Sequence, residues 1–204
     1  MSASPPSGQL ILASGNPGKL QEYQVLAAGH RIELQLLPGF SAIPEFPENA
    51  STFAENAAGK ALYYSRHCDR LVFADDSGLV VPALGGTPGV LSARYAGPGA
   101  TSEQRNAKLL EELRGKNGAD RAAYFVCVIA AAHRGRCEIV VSAKVDGEII
   151  EHPRGAGGFG YDPVFFFPPL AKSFAELTPA EKNLYSHRGN AFRLFMDALE
   201  VGKR

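Results

Sequence analysis

The chain has 204 residues, 45% of them apolar and 21% charged, which is enough to bury one sizeable core and favours one domain over two. Lys+Arg and Asp+Glu balance at 21 each, so no global field argues for nucleic acid or anionic lipid as a partner, and any phosphate binding has to be local. Three cysteines, Cys68, Cys127 and Cys137, are an odd number without CxxC spacing, which fits free thiols in a reducing cytoplasm better than a disulfide or zinc framework.

The Ser/Pro-rich start lacks the basic and apolar regions of a signal peptide, so residues 1–8 are expected as a disordered extension and residues 9–201 as the working domain. Residues 9–13 form a short apolar run of the kind that reads as a strand buried on both faces. Asn16 is a favoured N-cap and Pro17 suits the first helical position, so a helix follows, with Leu20, Tyr23 and Leu26 at helical spacing up to Gly29. Residues 32–37 read as a second strand. Thr52 with Glu55 is a capping box that opens an Ala-rich helix to about Arg66, and residues 71–74 are the next strand.

Thr101 with Gln104 opens another helix, which carries Leu109, Leu110 and Leu113 and stops at Gly115. Residues 122–133 and 137–145 are β-rich and flank Arg134-Gly135-Arg136, a hairpin signal that brings antiparallel pairing into the sheet. Asp146-Gly147 reads as a second turn, followed by a possible strand over 148–151. Thr178-Pro179-Ala180-Glu181 is a further capping box, and Ser186 opens a last helix with Ala191, Leu194, Phe195, Ala198 and Leu199 on one face. The longest apolar run, 125–132, is far too short to cross a bilayer, so no membrane partner is expected. The expected fold is α/β: a single elongated domain with a central mixed sheet flanked by helices, in two lobes around an active-site cleft.

Polar islands carry the chemistry. A strand running into Ser14, Gly15, Asn16, Pro17, Gly18 and Lys19 and then a helix gathers backbone N–H groups, a helix dipole and an ammonium, which suits phosphate oxygens. It is not a Walker A loop, because only two residues separate its glycines and Leu20 follows the lysine. On the second helix, Phe53, Asn56, Ala57, Lys60 and Tyr64 share one stripe, which carries Asn56 and Lys60 toward a common point. Glu45 and Glu48 lie upstream in a Pro-rich loop that, taken by itself, reads as a solvated acidic segment sooner than as a site.

Asp75 and Asp76 stand where an apolar strand is expected to end, before Ser77-Gly78, and ligand sites of open α/β sheets gather at such strand ends. Their repulsion calls for a counterion, and magnesium is economical because it takes one or two carboxylates and completes its shell from water and substrate phosphates. Strand alternation lets both reach one site only if the strand ends between them, so one is expected as ligand and base and the other in support. The glycine-dense loop at 155–163 carries Phe159 and Tyr161, which serve either as a base-stacking clamp or as pins to the core. Arg188 and His187 open the last helix and could offer donors to an anion or a base edge.

Taken together, SGNPGK, TFAENA, ADDSGL, PGVLSARYAG, GGFGYDPVF and SHRGNA, in this order from about Leu10 to Leu199, closely resemble the inosine triphosphate pyrophosphatase family of non-standard purine nucleotide pyrophosphatases. The resemblance implies a homodimeric, cytoplasmic, magnesium-dependent enzyme that converts dITP, ITP or XTP to the monophosphate and pyrophosphate. It implies Ser14, Gly15, Asn16, Pro17, Gly18 and Lys19 as the triphosphate loop, with Lys19, Lys60 and Asp76 as catalytic groups. Asp76 and Glu48 would hold the metal, although the loop around Glu48 reads Pro47-Glu48-Asn49-Ala50 where the family more often has Glu-Glu-Thr-Gly. Ser77, Phe159, Gly160, Tyr161, Asp162, Lys182, His187 and Arg188 correspond to substrate contacts. Ser92 to Gly97 carry the SARYAG segment, read as shaping the cleft or the dimer. Two alternatives stand beside this reading: a non-catalytic nucleotide-binding regulator, and a pyrophosphatase for another modified nucleotide.

Overall fold

In a computed structural model, residues 9–30 and 32–201 are described, so the expected extension over residues 1–8 lies outside them. Among the described residues, seven strands hydrogen-bond in the order β2-β1-β3-β4-β5-β6-β7. They are β1 (Gln9–Leu12), β2 (Glu33–Leu36), β3 (Val72–Val80), β4 (Ala122–His133), β5 (Arg136–Ile149), β6 (Phe165–Phe167) and β7 (Lys172–Ser173). β1 runs parallel to β2 and β3, whereas β6 runs antiparallel to β5 and β7, so the sheet is mixed, as expected. Among the described residues, five α-helices accompany it: α1 (Pro17–Gly29), α2 (Phe53–Tyr64), α3 (Ser102–Glu112), α4 (Pro179–Tyr185) and α5 (His187–Val201).

The capping chemistry places the helix starts. Asn16 and Thr52 accept from the N–H groups of Lys19 and Glu55, and full capping boxes form at Thr101/Gln104 and Thr178/Glu181. Arg134 and Gly135, both at positive φ, make the tight β4–β5 turn that the sequence signalled.

The strand end expected at Asp75-Asp76 and the turn expected at Asp146-Gly147 do not form. β3 continues unbroken through Asp75, Asp76, Ser77 and Gly78, and β5 continues through Asp146 and Gly147. At Gly147 the glycine serves close approach instead of a turn: a Cβ there would lie 2.5 Å from Phe165 Cζ and from the Phe166 carbonyl oxygen. Residues 148–149 of the separate strand expected over 148–151 are instead the end of β5, and residues 150–151 lie beyond it. The short strands β6 and β7 have no periodic signal and were not foreseen.

The chain divides into two compact units. One comprises the described residues of Met1–Asp76, Cys127–Ala143 and Arg188–Arg204, the other Ser77–Val126 and Lys144–His187. In the first unit, strand alternation sorts side chains into two cores. Leu10, Leu12, Phe73, Cys127 and Ile129 pack with Tyr23 of α1 and Phe192 and Phe195 of α5. Ile11, Ala13, Val72, Ala74 and Val128 pack instead with Ala57, Ala61 and Tyr64 of α2. The second unit has its own core, in which Leu79, Phe125 and Ile149 meet Leu109 and Leu113, Phe165 and Phe174. Each fully buried side chain of this size contributes about 1.5–3 kcal/mol by leaving water.

Candidate active site

The loop from β1 to α1 is shaped by its own polar groups. Ser14 Oγ accepts from Asn16 N–H at 3.2 Å, and Asn16 Oδ1 accepts from Lys19 N–H at 3.1 Å. Gly15, Asn16 and Pro17 are exposed at the start of α1, and Gly18 follows in the first turn. Lys19 reaches from that turn to β3, where its Nζ lies 3.0 Å from Asp75 Oδ2 and 3.4 Å from the Asp75 carbonyl oxygen.

Because β3 does not end between them, Asp75 and Asp76 follow Phe73 and Ala74 to opposite faces of the strand. Asp75 is fully buried on the face shared with α1 and α5. Its Oδ2 meets Lys19, Arg188 Nη2 at 3.6 Å, and the Cys127 thiol, which donates at 3.8 Å. Burial pushes this carboxyl up, but Lys19, then Arg188 and Lys60, outweigh it and hold it at about 2. Burial and the neighbouring Asp75 carry the Cys127 thiol up to about 12. Arg188 also pairs with Glu22, and its guanidinium lies over the Tyr23 ring, 5.8 Å from the centroid.

Asp76 faces α2, where the stripe expected from the sequence forms: Asn56, Ala57, Lys60 and Tyr64 are all buried. Lys60 Nζ lies 3.0 Å from Glu48 Oε1 and 3.8 Å from Asp76 Oδ1, so the two carboxylates converge on one cation. The Glu48 loop is held in place by α2. Asn56 Oδ1 accepts from Ala50 N–H at 3.1 Å, and the Tyr64 hydroxyl accepts from Phe46 N–H at 3.1 Å. Burial pushes the Asp76 carboxyl above its ordinary value, against the pull of Lys60 and Lys19. Lys60 is raised as well: burial opposes the charge, but Asp76, Asp75 and Glu48 outweigh it. Two hard carboxylates gathered at one point have the oxygen-donor chemistry that suits a hard divalent cation.

In the second unit, Asp162 closes the glycine loop on itself. Its Oδ2 accepts from Phe159 N–H at 2.7 Å and from Lys182 Nζ at 2.5 Å, and that ammonium lies 4.8 Å from the Phe159 ring centroid. Phe159, Asp162 and Lys182 are thus assembled together. Gly160, between them, has φ 64°. Tyr161 is buried, and its hydroxyl donates to the Ser92 carbonyl at 3.0 Å, which ties the loop to the SARYAG segment. His187 is buried and stacks on Phe125 with ring centroids 4.6 Å apart. Ser77 sits half-buried on β3.

A profile of the Ham1 family matches residues 10–198. The chain belongs to the Ham1 family. Among curated Ham1 relatives, it is 51% identical over 183 residues to the dITP/XTP pyrophosphatase of Geobacillus kaustophilus, covering 90% of each chain. Against the dITP/XTP pyrophosphatase of Thermus thermophilus the identity is 45% over 194 residues, covering 95% of this chain and 93% of the other. The solved Ham1 protein of Coxiella burnetii superposes with a TM-score of 0.83 at 40% identity, over 97% of this chain and 100% of the other.

Three members of the Ham1 chain's polar cluster escaped the sequence reading: Glu22, Tyr23 as a polar neighbour, and Cys127. Glu22 had a faint signal, since it lies one turn beyond Lys19 on α1. Cys127 had none, because a small apolar-looking residue in a buried strand announces no carboxylate partner.

Proposed function

We propose that this chain hydrolyses non-standard purine nucleoside triphosphates, dITP, ITP and XTP, to the monophosphate and pyrophosphate. The observation that carries the reading is the convergence of Asp76 and Glu48 on Lys60, in a Ham1 chain whose relatives bear the name dITP/XTP pyrophosphatase. We assign the triphosphate to Ser14, Gly15, Asn16, Pro17, Gly18, Lys19 and Lys60. The base and remaining substrate contacts go to Ser77, Phe159, Gly160, Tyr161, Asp162, Lys182, His187 and Arg188.

In the proposed reaction a water oxygen attacks the α-phosphorus as the bond to the bridging oxygen breaks and pyrophosphate leaves. Asp76 takes the water's proton as a general base, held on β3 beside the Lys60 ammonium. Lys19 and Lys60 oppose the charge that builds on the leaving group, and Asp75 keeps Lys19 aimed. Magnesium, held by Asp76 and Glu48, would neutralise phosphate charge and orient the triphosphate. Donors aimed at the purine 6-oxygen would reject ATP by about 10⁴–10⁵, because they go unpaired against an amino group.

We further infer action as a cytoplasmic homodimer, without nucleic-acid or membrane partners. Family resemblance supports the dimer, and the balanced charge and three free cysteines support the rest. Among the described residues, no helix is long and apolar enough to cross a membrane.

Product analysis with dITP, XTP, GTP and ATP, with and without EDTA, tests the function. Magnesium-dependent monophosphate and pyrophosphate from dITP and XTP alone is the expected result. Orthophosphate and diphosphate would move the attack to the γ-phosphorus, and tight binding without turnover would leave a regulator. Strong turnover of GTP or ATP would defeat the proposed selectivity.

A further inference from the structure

Helix α3 grips the loop that carries Phe159. Asn106 Nδ2 donates to the Gly160 carbonyl at 3.1 Å, and Gly160 N–H donates to Ser102 Oγ at 3.2 Å. One helix therefore holds both backbone polar groups of one residue. Gly160 needs an external hold, because its left-handed φ of 64° is open to glycine but is not fixed by any side chain of its own. Ser102 is itself held: Arg105 Nη2 donates to Ser102 Oγ at 3.0 Å, while Arg105 Nη1 donates to the Ala93 and Ala100 carbonyls. Across the loop, Asp162 accepts from Phe159 N–H.

Stability alone is a poor account of the asparagine. Asn106 is buried and shares a stripe with Leu109 and Leu113, both fully buried, so an apolar residue would continue the face. Its Oδ1 is buried without a hydrogen-bond partner among the described residues, a cost that an apolar side chain would avoid. What the asparagine gains is the bond to Gly160.

We propose that Asn106 and Ser102 are positioning residues for base recognition. By fixing the Gly160 backbone they set the direction in which Phe159 presents its ring, and so control affinity for the purine while leaving affinity for the phosphates alone. The proposal rests on the reading of Phe159 as a base contact.

The test compares calorimetric Kd values for dIMP, which carries the base, and pyrophosphate, which does not. It uses wild type, Asn106→Leu, Ser102→Ala and Ser102→Thr, with dITP turnover measured alongside. Asn106→Leu and Ser102→Ala are expected to weaken dIMP about tenfold, as for loss of one buried hydrogen bond, with pyrophosphate affinity unchanged. KM for dITP should rise in parallel at nearly constant kcat, and Ser102→Thr, which keeps the hydroxyl, should restore both. Should Asn106→Leu fail to fold, the two Ser102 variants carry the test. Unchanged dIMP affinity overturns the proposal, as do equal losses for both ligands, which mark a merely structural role. Normal wild-type dITP turnover with unchanged dIMP affinity in the variants defeats the positioning role alone. The expected dIMP loss in a protein that turns over no dITP defeats only the proposed function, and a wild type that binds no dIMP defeats both.

Discussion

Asp75 and Asp76 are adjacent in the chain, yet β3 sends them to opposite faces, and each face gives its carboxylate a different chemistry. Asp75 is enclosed by Lys19, Arg188 and the Cys127 thiol and is held at about 2, so it is a fixed negative charge that organises cations. Asp76 shares Lys60 with Glu48, and burial pushes its carboxyl above the ordinary value. Strand alternation thereby gives two like residues different surroundings, and in the proposed reaction one is the anchor and the other the reacting group. The repulsion that a shared site would impose is reduced because each carboxylate has cations of its own.

The comparison breaks most visibly by exchanging one carboxylate for an amide. Asp76→Asn should lower kcat for dITP by about 10²–10⁴, the range for a lost general base, while the thermal transition stays near wild type. Wild-type-like kcat in that variant would defeat the assignment of Asp76 as base.

Asp75→Asn should lower stability by about 3 kcal/mol in denaturant unfolding and kcat by less than Asp76→Asn does, because Lys19 and Arg188 lose a buried partner. The same pair of proteins sharpens the point in acid. The Asp75 carboxyl has a folded value of about 2, below the usual unfolded value of about 3.9, so its stabilisation is complete above the unfolded value. It is then lost as pH falls from about 4 toward 2, a change on the order of 2 kcal/mol. Unfolding free energies of metal-free protein across that window should converge between wild type and Asp75→Asn. Curves that stay parallel would show that Asp75 is not held low.

The smallest effect concerns Cys127. With its thiol at about 12 and fully buried, native protein at neutral pH should leave Cys127 unmodified by iodoacetamide while the exposed Cys137 reacts. Peptide mass analysis that found Cys127 alkylated first would show that the Asp75 face opens readily.

By itself the sequence determined the elements whose signals are local. Asn16, Thr52, Thr101 and Thr178 cap the helices they were expected to cap, the Arg134-Gly135 turn joins the strands it was expected to join, and the Asn56/Lys60 stripe is buried. Each of these depends on residues within about one helical turn or one tight turn of each other, where propensity and capping act directly. The tertiary structure decided whatever depends on distant partners. A strand end is expected at Asp75-Asp76 and a turn at Asp146-Gly147, yet β3 and β5 run through them, and Phe165 packs close against Gly147. Lys19 finds Asp75 across 56 residues of chain, and Arg188 finds Glu22 across 166. Such pairings carry no periodicity that a window of sequence can hold. They exist because packing the cores of β3, α1 and α5 brings buried charges together, and burial then makes each of them require a partner.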